Sequence, residues 1–273
     1  MLIKRIVLAA SVASITAAAP FAVQAADIPQ YTPPPVVTAV PAWDWSGFYV
    51  GLNAGYGWGQ NDGVTMGFID PGGTWFGPCL TAGSCPSGLS YSSDGFIGGA
   101  QIGYNWQINQ FVLGLEADIQ YSDMSGSTTI GTAVAPFAAG RFHSSSEINW
   151  LSTWRGRAGF TFDRGLVYAT GGVALGGVKD HFSWGYPGLG QVYNGSSSDT
   201  EWGWTAGGGI EYAFTDNFIL GAEVLYFDLG DTTVPGVPVA GFVPPAGTAI
   251  SGKYDHSGVI ARARASYKFY SGF

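Results

Sequence analysis

From Phe48 the chain settles into strict alternation. Phe48, Val50, Leu52, Ala54, Tyr56 and Trp58 occupy one set of positions, and Tyr49, Gly51, Asn53, Gly55 and Gly57 the other. A period of two predicts a β-strand, because successive side chains leave opposite faces of the pleat. The parity returns in Phe96, Gly98, Ala100, Ile102, Tyr104, Trp106 and Ile108, and again in Phe111, Leu113, Leu115, Ala117, Ile119 and Tyr121. A fourth segment sets Ile148, Trp150, Trp154, Ala158, Phe160 and Phe162 against Asn149, Thr153, Arg155, Arg157 and Thr161. A fifth, from Leu166 to about Gly177, is glycine-rich and its facing is ambiguous. A sixth carries Trp202, Trp204, Ala206, Ile210, Tyr212 and Phe214, and a seventh Phe218, Leu220, Ala222, Val224 and Tyr226. The last runs through Val259, Ala261, Ala263, Ala265, Tyr267 and Phe269 to Phe273.

The connections alternate as well. The first, third, fifth and seventh are long, whereas the second, fourth and sixth are tight turns, among them Asp163-Arg164-Gly165 and Thr215-Asp216-Asn217. One face of each segment is large and apolar, the other small or polar, and aromatics gather near the segment ends. Only 11% of residues are charged and 43 are glycine, yet past the first segment no apolar run reaches a membrane helix's length. A chain that crosses lipid without helices must close its sheet, since lipid offers backbone amides no partner. The expectation is an all-β fold, an eight-stranded antiparallel up-and-down transmembrane β-barrel with lipid on the aromatic face and a tight lumen on the other.

Residues 1–25 read as a signal peptide: Lys4 and Arg5, an Ala-rich apolar run, then Val23-Gln24-Ala25 as a cleavage site. Residues 26–46 form a Pro-rich periplasmic tether, and the barrel occupies 47–273. The exported part then holds nine basic residues against nineteen acidic ones, which argues against nucleic-acid binding. Cys79 and Cys85, the only cysteines, are expected to form a disulfide in the first long connection, since export leads through an oxidising compartment.

The inward parity collects Glu116, Asp118, Glu211 and Glu223 against Arg155, Arg157, Arg262, Arg264 and Lys268. Buried charges are tolerated when paired, so two clusters are expected, Glu116/Asp118 with Arg155/Arg157 and Glu211/Glu223 with Arg262/Arg264, closing the lumen as a plug. Counting from the strand-end aromatics puts Glu116 level with Arg157 and Glu223 level with Arg264.

No catalytic apparatus, cofactor site or metal site is expected. His143, His181 and His256 fall in long connections or at a strand edge and read as solvated, without metal spacing. His143-Ser144-Ser145 with Glu147, or Asp255-His256-Ser257, could be drawn as the Ser/His/carboxylate set of a lipid A-modifying barrel enzyme, but such neighbours arise by chance in Ser/Gly-rich stretches. Gly171-Gly172 and Gly207-Gly208-Gly209 lack the Lys-Ser/Thr and helix of a phosphate loop. The competing function is a small diffusion porin, but open aqueous channels take ~16 strands, twice the number read here.

The segment WDWSGFYVGLNAGYGWG (Trp43 to Gly59) closely resembles the first strand of the RopB-type small outer-membrane proteins of rhizobia and brucellae, a branch of the OmpA-like transmembrane superfamily. TWRGRAGFTFDRGLVYATGGVALG (Thr153 to Gly176) and GIEYAFTDNFILGAEVLYFDLG (Gly209 to Gly230) resemble the same family's central hairpin and seventh strand. The resemblance implies an abundant surface barrel in the cell outer membrane with structural, host-contact and immunogenic roles. Its partners would be outer-membrane lipid and lipopolysaccharide, with the barrel-assembly machinery during biogenesis. Some members of the family are said to bind haem, which the resemblance permits for a loop histidine. The family ends on an aromatic after a YKF or YRF segment, here Tyr267-Lys268-Phe269, whereas this chain adds Tyr270-Ser271-Gly272-Phe273. Phe269 and Phe273 share outward parity, so either can serve as the assembly signal.

Overall fold

A computed structural model describes residues 43–269 apart from 61–62, 82–84, 135–136 and 187–189. The signal segment, most of the Pro-rich tether and Phe273 lie outside the described residues. In chain order the elements are β1 (Gly47–Gln60), β2 (Gly63–Ile69), α1 (Gly77–Thr81), β3 (Gly88–Ser90), β4 (Asp94–Ile108) and β5 (Phe111–Val134). They continue with β6 (Phe137–Phe162), β7 (Gly165–Tyr186), β8 (Gly190–Ala213), β9 (Phe218–Pro235), β10 (Val237–Pro238) and β11 (Ala249–Lys268).

Eight of these strands close a ring in the order β1-β4-β5-β6-β7-β8-β9-β11, and β11 pairs back onto β1 from Tyr49↔Lys268 to Gln60↔Ser257. All the pairings are antiparallel, and the alternation read from the sequence is the reason. Each strand presents one face to the outside, where Leu52, Ile102, Leu115, Trp154, Ile210 and Val224 stand exposed, and one face to a filled interior. Tight turns join the strands at one end, where Asn109 (φ 56°) and Asp163 (φ 54°) take the left-handed backbone that Asn and Asp tolerate best. In the third turn the Thr215 hydroxyl accepts the amides of Asn217 (3.3 Å) and Phe218 (3.0 Å).

The far end differs from expectation. The third and fifth connections are mostly strand, because β5, β6, β7 and β8 run for 24, 26, 22 and 24 residues. A tilted strand needs only about 9–11 residues to cross the bilayer, so roughly half of each stands beyond it as a projecting sheet. The Ser- and Thr-rich sequence there lacks the apolar outer face that marks a membrane strand, which is why it reads as loop. In the first connection, β2 pairs with β11 (Val64↔Tyr254 to Ile69↔Ala249) and with β3, and in the seventh β10 adds a short pairing to β8.

A bulge in β6 changes side-chain facing. The register shifts between Ile148 and Trp150, so Ile148, expected outside, is buried at 9% exposure and packs inward with Leu151. An extra residue in one strand reverses its parity beyond that point. His256 needs no such shift: it keeps the inward parity of Ile260, Arg262 and Arg264 along β11, and the register break between Asp255 and Ser257 puts its extra residue on β9, between Asp228 and Asp231. In β7 the facing is settled: Leu166, Tyr168, Thr170 and Ala174 are buried, while Val167 and Val173 are exposed.

The interior is filled in layers from the turn end to the loop end. Trp45, Val112, Leu166, Tyr168, Ala213 and Ile219 form the first layer. Trp45 is wholly buried and donates its amide to Gln107 Oε1 at 2.7 Å, so the last residues of the expected tether stopper the barrel mouth. A charged layer follows, then an apolar one containing Ile97, Met124, Ile148, Leu151, Leu225 and Phe227. Above it lie His256 and Asp180, then an aromatic cluster that includes Phe76, Phe142, Phe182, Trp184, Tyr193 and Tyr254.

Candidate functional site: a closed, charged lumen

The charged layer is built by in-register pairing. Glu116 on β5 stands opposite Arg155 on β6, and Glu223 on β9 opposite Arg262 on β11. Each match lies two residues from the one counted on strand-end aromatics, because Phe111 pairs with Phe160 rather than Phe162, and Phe218 with Tyr267 rather than Phe269.

The expected two clusters are one network, because guanidinium groups reach across so narrow a lumen. Arg155 bonds Glu116, Asp118 (2.9 Å) and Glu223 (2.8 Å). Arg262 bonds Asp118 (2.8 Å) and Glu223 (2.6 Å). Arg264 bonds Glu116, Glu223 (2.9 Å) and Glu211 (3.5 Å), and Arg157 bonds Glu211 (2.8 Å) and Glu116 (3.4 Å). Two tyrosines complete the layer. Tyr49 donates to Glu116 at 2.6 Å and accepts from Arg157 at 2.9 Å; Tyr168 donates to Glu223 at 2.9 Å and accepts from Arg264 at 2.8 Å. The Arg157 guanidinium also stacks 3.9 Å over the Tyr168 ring. A Cβ at Gly209 would lie 2.6 Å from the Tyr168 hydroxyl, so only glycine leaves the ring its place.

Four arginines thus face four carboxylates, all eight at most 6% exposed. Desolvating a charge costs several kcal/mol, and only multiple hydrogen-bonded partners offset it. Lys268 is not part of this network. It sits at the turn end, donates to the Asp44 carbonyl and lies 4.3 Å over the Trp43 ring, with no carboxylate in salt-bridge range among the described residues. Its parity is inward as expected, but its depth puts it beyond reach of the carboxylates.

The three histidines lie in strands rather than in solvated loops. His256 is 4% exposed and its Nε2 lies 3.0 Å from Asp180 Oδ2. Burial, with Asp199 and Glu201 nearby, pushes the Asp180 carboxyl up to about 7 despite a hydrogen bond with Ser146. The Asp255-His256-Ser257 set does not assemble as a relay: Ser257 Oγ donates to the Gln60 carbonyl (2.9 Å) and Asp255 (3.0 Å), while His256 turns to Asp180. In the other set, Ser144 is buried against the Tyr254 hydroxyl at 2.9 Å, whereas His143 faces outward and bonds Thr129 Oγ1 at 2.9 Å. Cys79 and Cys85 form the expected disulfide, with Cys79 buried under the aromatic cluster. Phe269 continues past β11, its amide bonded to the Phe48 carbonyl at 2.8 Å and its ring 5.6 Å from that of Phe48.

The family model for the outer membrane protein beta-barrel domain matches residues 6–269. The chain belongs to that family. It is 37% identical over 221 residues to the 31 kDa outer-membrane immunogenic protein of Brucella melitensis, covering 80% of this chain and 85% of the relative. It is 29% identical over 250 residues to the 25 kDa outer-membrane immunogenic protein of Brucella abortus, covering 90% of each. The 22 kDa outer membrane protein of Rhizobium leguminosarum is 31% identical over 166 residues, 59% of this chain and 67% of that one. Among solved structures, the outer membrane protein OprG of Pseudomonas aeruginosa aligns over 83% of this chain and 97% of its own, at TM-score 0.47 and 10% identity. The chain is an alphaproteobacterial outer-membrane barrel with a structural, cell-surface role, and the names of its relatives describe outer-membrane and immunogenic proteins.

Proposed function

We propose that the protein is a non-catalytic, non-conducting barrel that anchors a projecting sheet at the cell surface, its turn end and both termini in the periplasm and its loop end outside. The observation that supports this reading is the lumen filled from wall to wall by a charge-balanced, buried network. Transport would have to break about ten ion-pair contacts, each in a water-poor layer. The projecting strands and their connections are then the parts left to meet other molecules. Lipopolysaccharide and outer-leaflet lipid would surround the apolar belt, and the barrel-assembly machinery would read a C-terminal aromatic, Phe269 or Phe273.

Orientation is tested by cysteine labelling of intact cells in the Cys79→Ser/Cys85→Ser background. Val243→Cys, at a position 89% exposed in the connection between β10 and β11, should react with a membrane-impermeant maleimide, whereas Asn109→Cys, in a tight turn, should not. The reverse pattern would invert the topology. The catalytic alternative is tested by incubating purified folded protein with lipopolysaccharide: fatty-acid release above that of a heat-denatured control would make the protein an enzyme.

A further inference from the structure

The outward face of the projecting sheet is largely polar, with few charged side chains, and at one place on it cationic and imidazole groups gather without an acid beside them. On β6, Arg141 and His143 stand outward, and on β7 His181 lies diagonal to His143, the two rings 6.3 Å apart. The registers put Gly131 on β5 and Gly185 on β7 on either side of Arg141. Two missing side chains leave the guanidinium at the rim of an open concavity of about 630 Å³, lined by Thr129, Arg141, His143, Ser183, Gly185 and Gln191 together with Gly190. That volume is the size of a small-molecule site. Among the described residues no carboxylate lies in salt-bridge range of Arg141. Its nearest acid along the strand, Glu147, is paired across the ladder with Lys179. In a chain with a formal charge of −8 this is an isolated cationic hollow walled by hydroxyl and amide donors.

We infer that this hollow is a binding site for an oxyanion ester carried on a saccharide, a phosphate or sulfate group held by Arg141 with His143 and His181 and a sugar against Thr129, Ser183 and Gln191. Arginine suits the role because its planar fork meets two oxyanion oxygens at once. The bond between His143 Nδ1 and Thr129 fixes that ring's rotation. Nine residues separate Arg141 from Trp150 near the outer aromatic girdle, which puts the hollow about 20 Å beyond the apolar belt for a tilted strand. At that height two sources offer the same chemistry, the phosphorylated core sugars of the surrounding lipopolysaccharide and the sulfated glycans of another cell's surface. The inference rests on the loop end lying outside the cell, which the cysteine labelling above tests independently.

Acidification should strengthen the site. Burial and the neighbouring His143 hold His181 below its ordinary range, so it is neutral at pH 7 and gains its charge only in mildly acidic solution. The charged groups sharing its outward face are Arg141, His143 and Glu147 on β6 and Lys179 on β7. The flanking outward positions of β5 (Ser125, Ser127, Thr129) and of β8 (Asn194, Ser196, Ser198) carry no ionisable side chain.

The test is titration of the folded full-length mature barrel in lipid nanodiscs with three probes: a phosphorylated lipopolysaccharide core oligosaccharide, a sulfated glycosaminoglycan oligosaccharide, and neutral maltoheptaose. At least one charged probe should bind tenfold or more tightly than maltoheptaose, and several-fold more tightly at pH 5.5 than at 7.5. Arg141→Ser should remove at least tenfold of that affinity, and His143→Gln/His181→Gln should abolish the pH dependence. Both variants lie outside the bilayer belt, and their folding is checked by heat-dependent gel mobility. Binding of only the phosphorylated probe assigns the site to the protein's own membrane, and of only the sulfated probe to a foreign glycan. Charged probes that bind no better than maltoheptaose, or equally well to Arg141→Ser, would overturn the inference.

Discussion

Arg155 and Arg157 sit two residues apart on one face of β6, yet their surroundings differ. Arg155 bonds three carboxylates at the centre of the lumen, whereas Arg157 bonds two and shares its charge with the rings of Tyr49 and Tyr168. Removing one partner of a buried ion pair leaves an uncompensated charge, a loss of about 3 kcal/mol or more. Urea unfolding in lipid vesicles should show Arg155→Ala and Arg157→Ala both destabilised on that scale, with Arg155→Ala the worse. Equal stability to wild type would mean that water enters the layer. Asp180 is a second residue with a measurable signature. Its carboxyl is raised to about 7, so the unfolded chain releases that proton at lower pH than the folded one. Asp180 therefore lowers stability progressively as pH rises from about 4 through 7, and Asp180→Asn should remove that contribution. Hydrogen exchange of the projecting sheet should be slower in Asp180→Asn than in wild type at pH 7.5, with the difference shrinking towards pH 5; a difference that grows towards pH 5 would contradict the assignment. The charges of the lumen were legible in the sequence because parity alone separates Glu116 from Leu115 and Arg155 from Trp154. Which carboxylate meets which arginine was not, since that depends on register and on reach across the ring. His256 was misplaced because the alternation of the last strand is plain only from Val259: His256 shares the inward parity of Arg262 and Arg264, but the polar run Ser251 to Ser257 has no apolar outer face to mark it as strand.

At the level of elements, the membrane-crossing halves of the eight strands could be read, the glycine-rich fifth without its facing, for lipid on one side and a tight lumen on the other enforce the alternation. The projecting halves of β5 to β8 could not, because both solvent-facing strands and loops are rich in Ser, Thr and Gly. Their support comes instead from an aromatic interior in which Phe142 stacks on Phe182 and Trp184 on Tyr193, with ring centroids 5.9 and 6.1 Å apart. The first connection joins that interior through α1, whose entry is held by Asp70: its Oδ2 accepts from the amides of Trp75 and Phe76, just before the helix, and of Gly77, its first residue, at 2.8, 2.7 and 3.1 Å. The disulfide pins this element, not the barrel. Closing so short a loop contributes about 2 kcal/mol at most. The Cys79→Ser/Cys85→Ser protein should therefore insert normally and keep its heat-dependent gel mobility, while protease cuts the first connection faster on intact cells. Failure to insert would make that connection part of the folding core.

Across the whole molecule, closure of the sheet removes every strand edge from the bilayer, and the described side chains fill the lumen in layers along the axis. Trp45 closes the turn end, the arginine and carboxylate network the middle, and the aromatic cluster the loop end. A ring of eight strands encloses just enough space for side chains to fill, so closure follows from strand number as much as from sequence. The decisive measurement is single-channel recording of the purified, folded protein in a planar lipid bilayer. The closed lumen predicts a silent membrane at moderate voltage, with Arg155→Ala raising current only in brief, irregular openings. A steady nanosiemens-scale conductance from the wild-type protein would contradict it and make the barrel a channel.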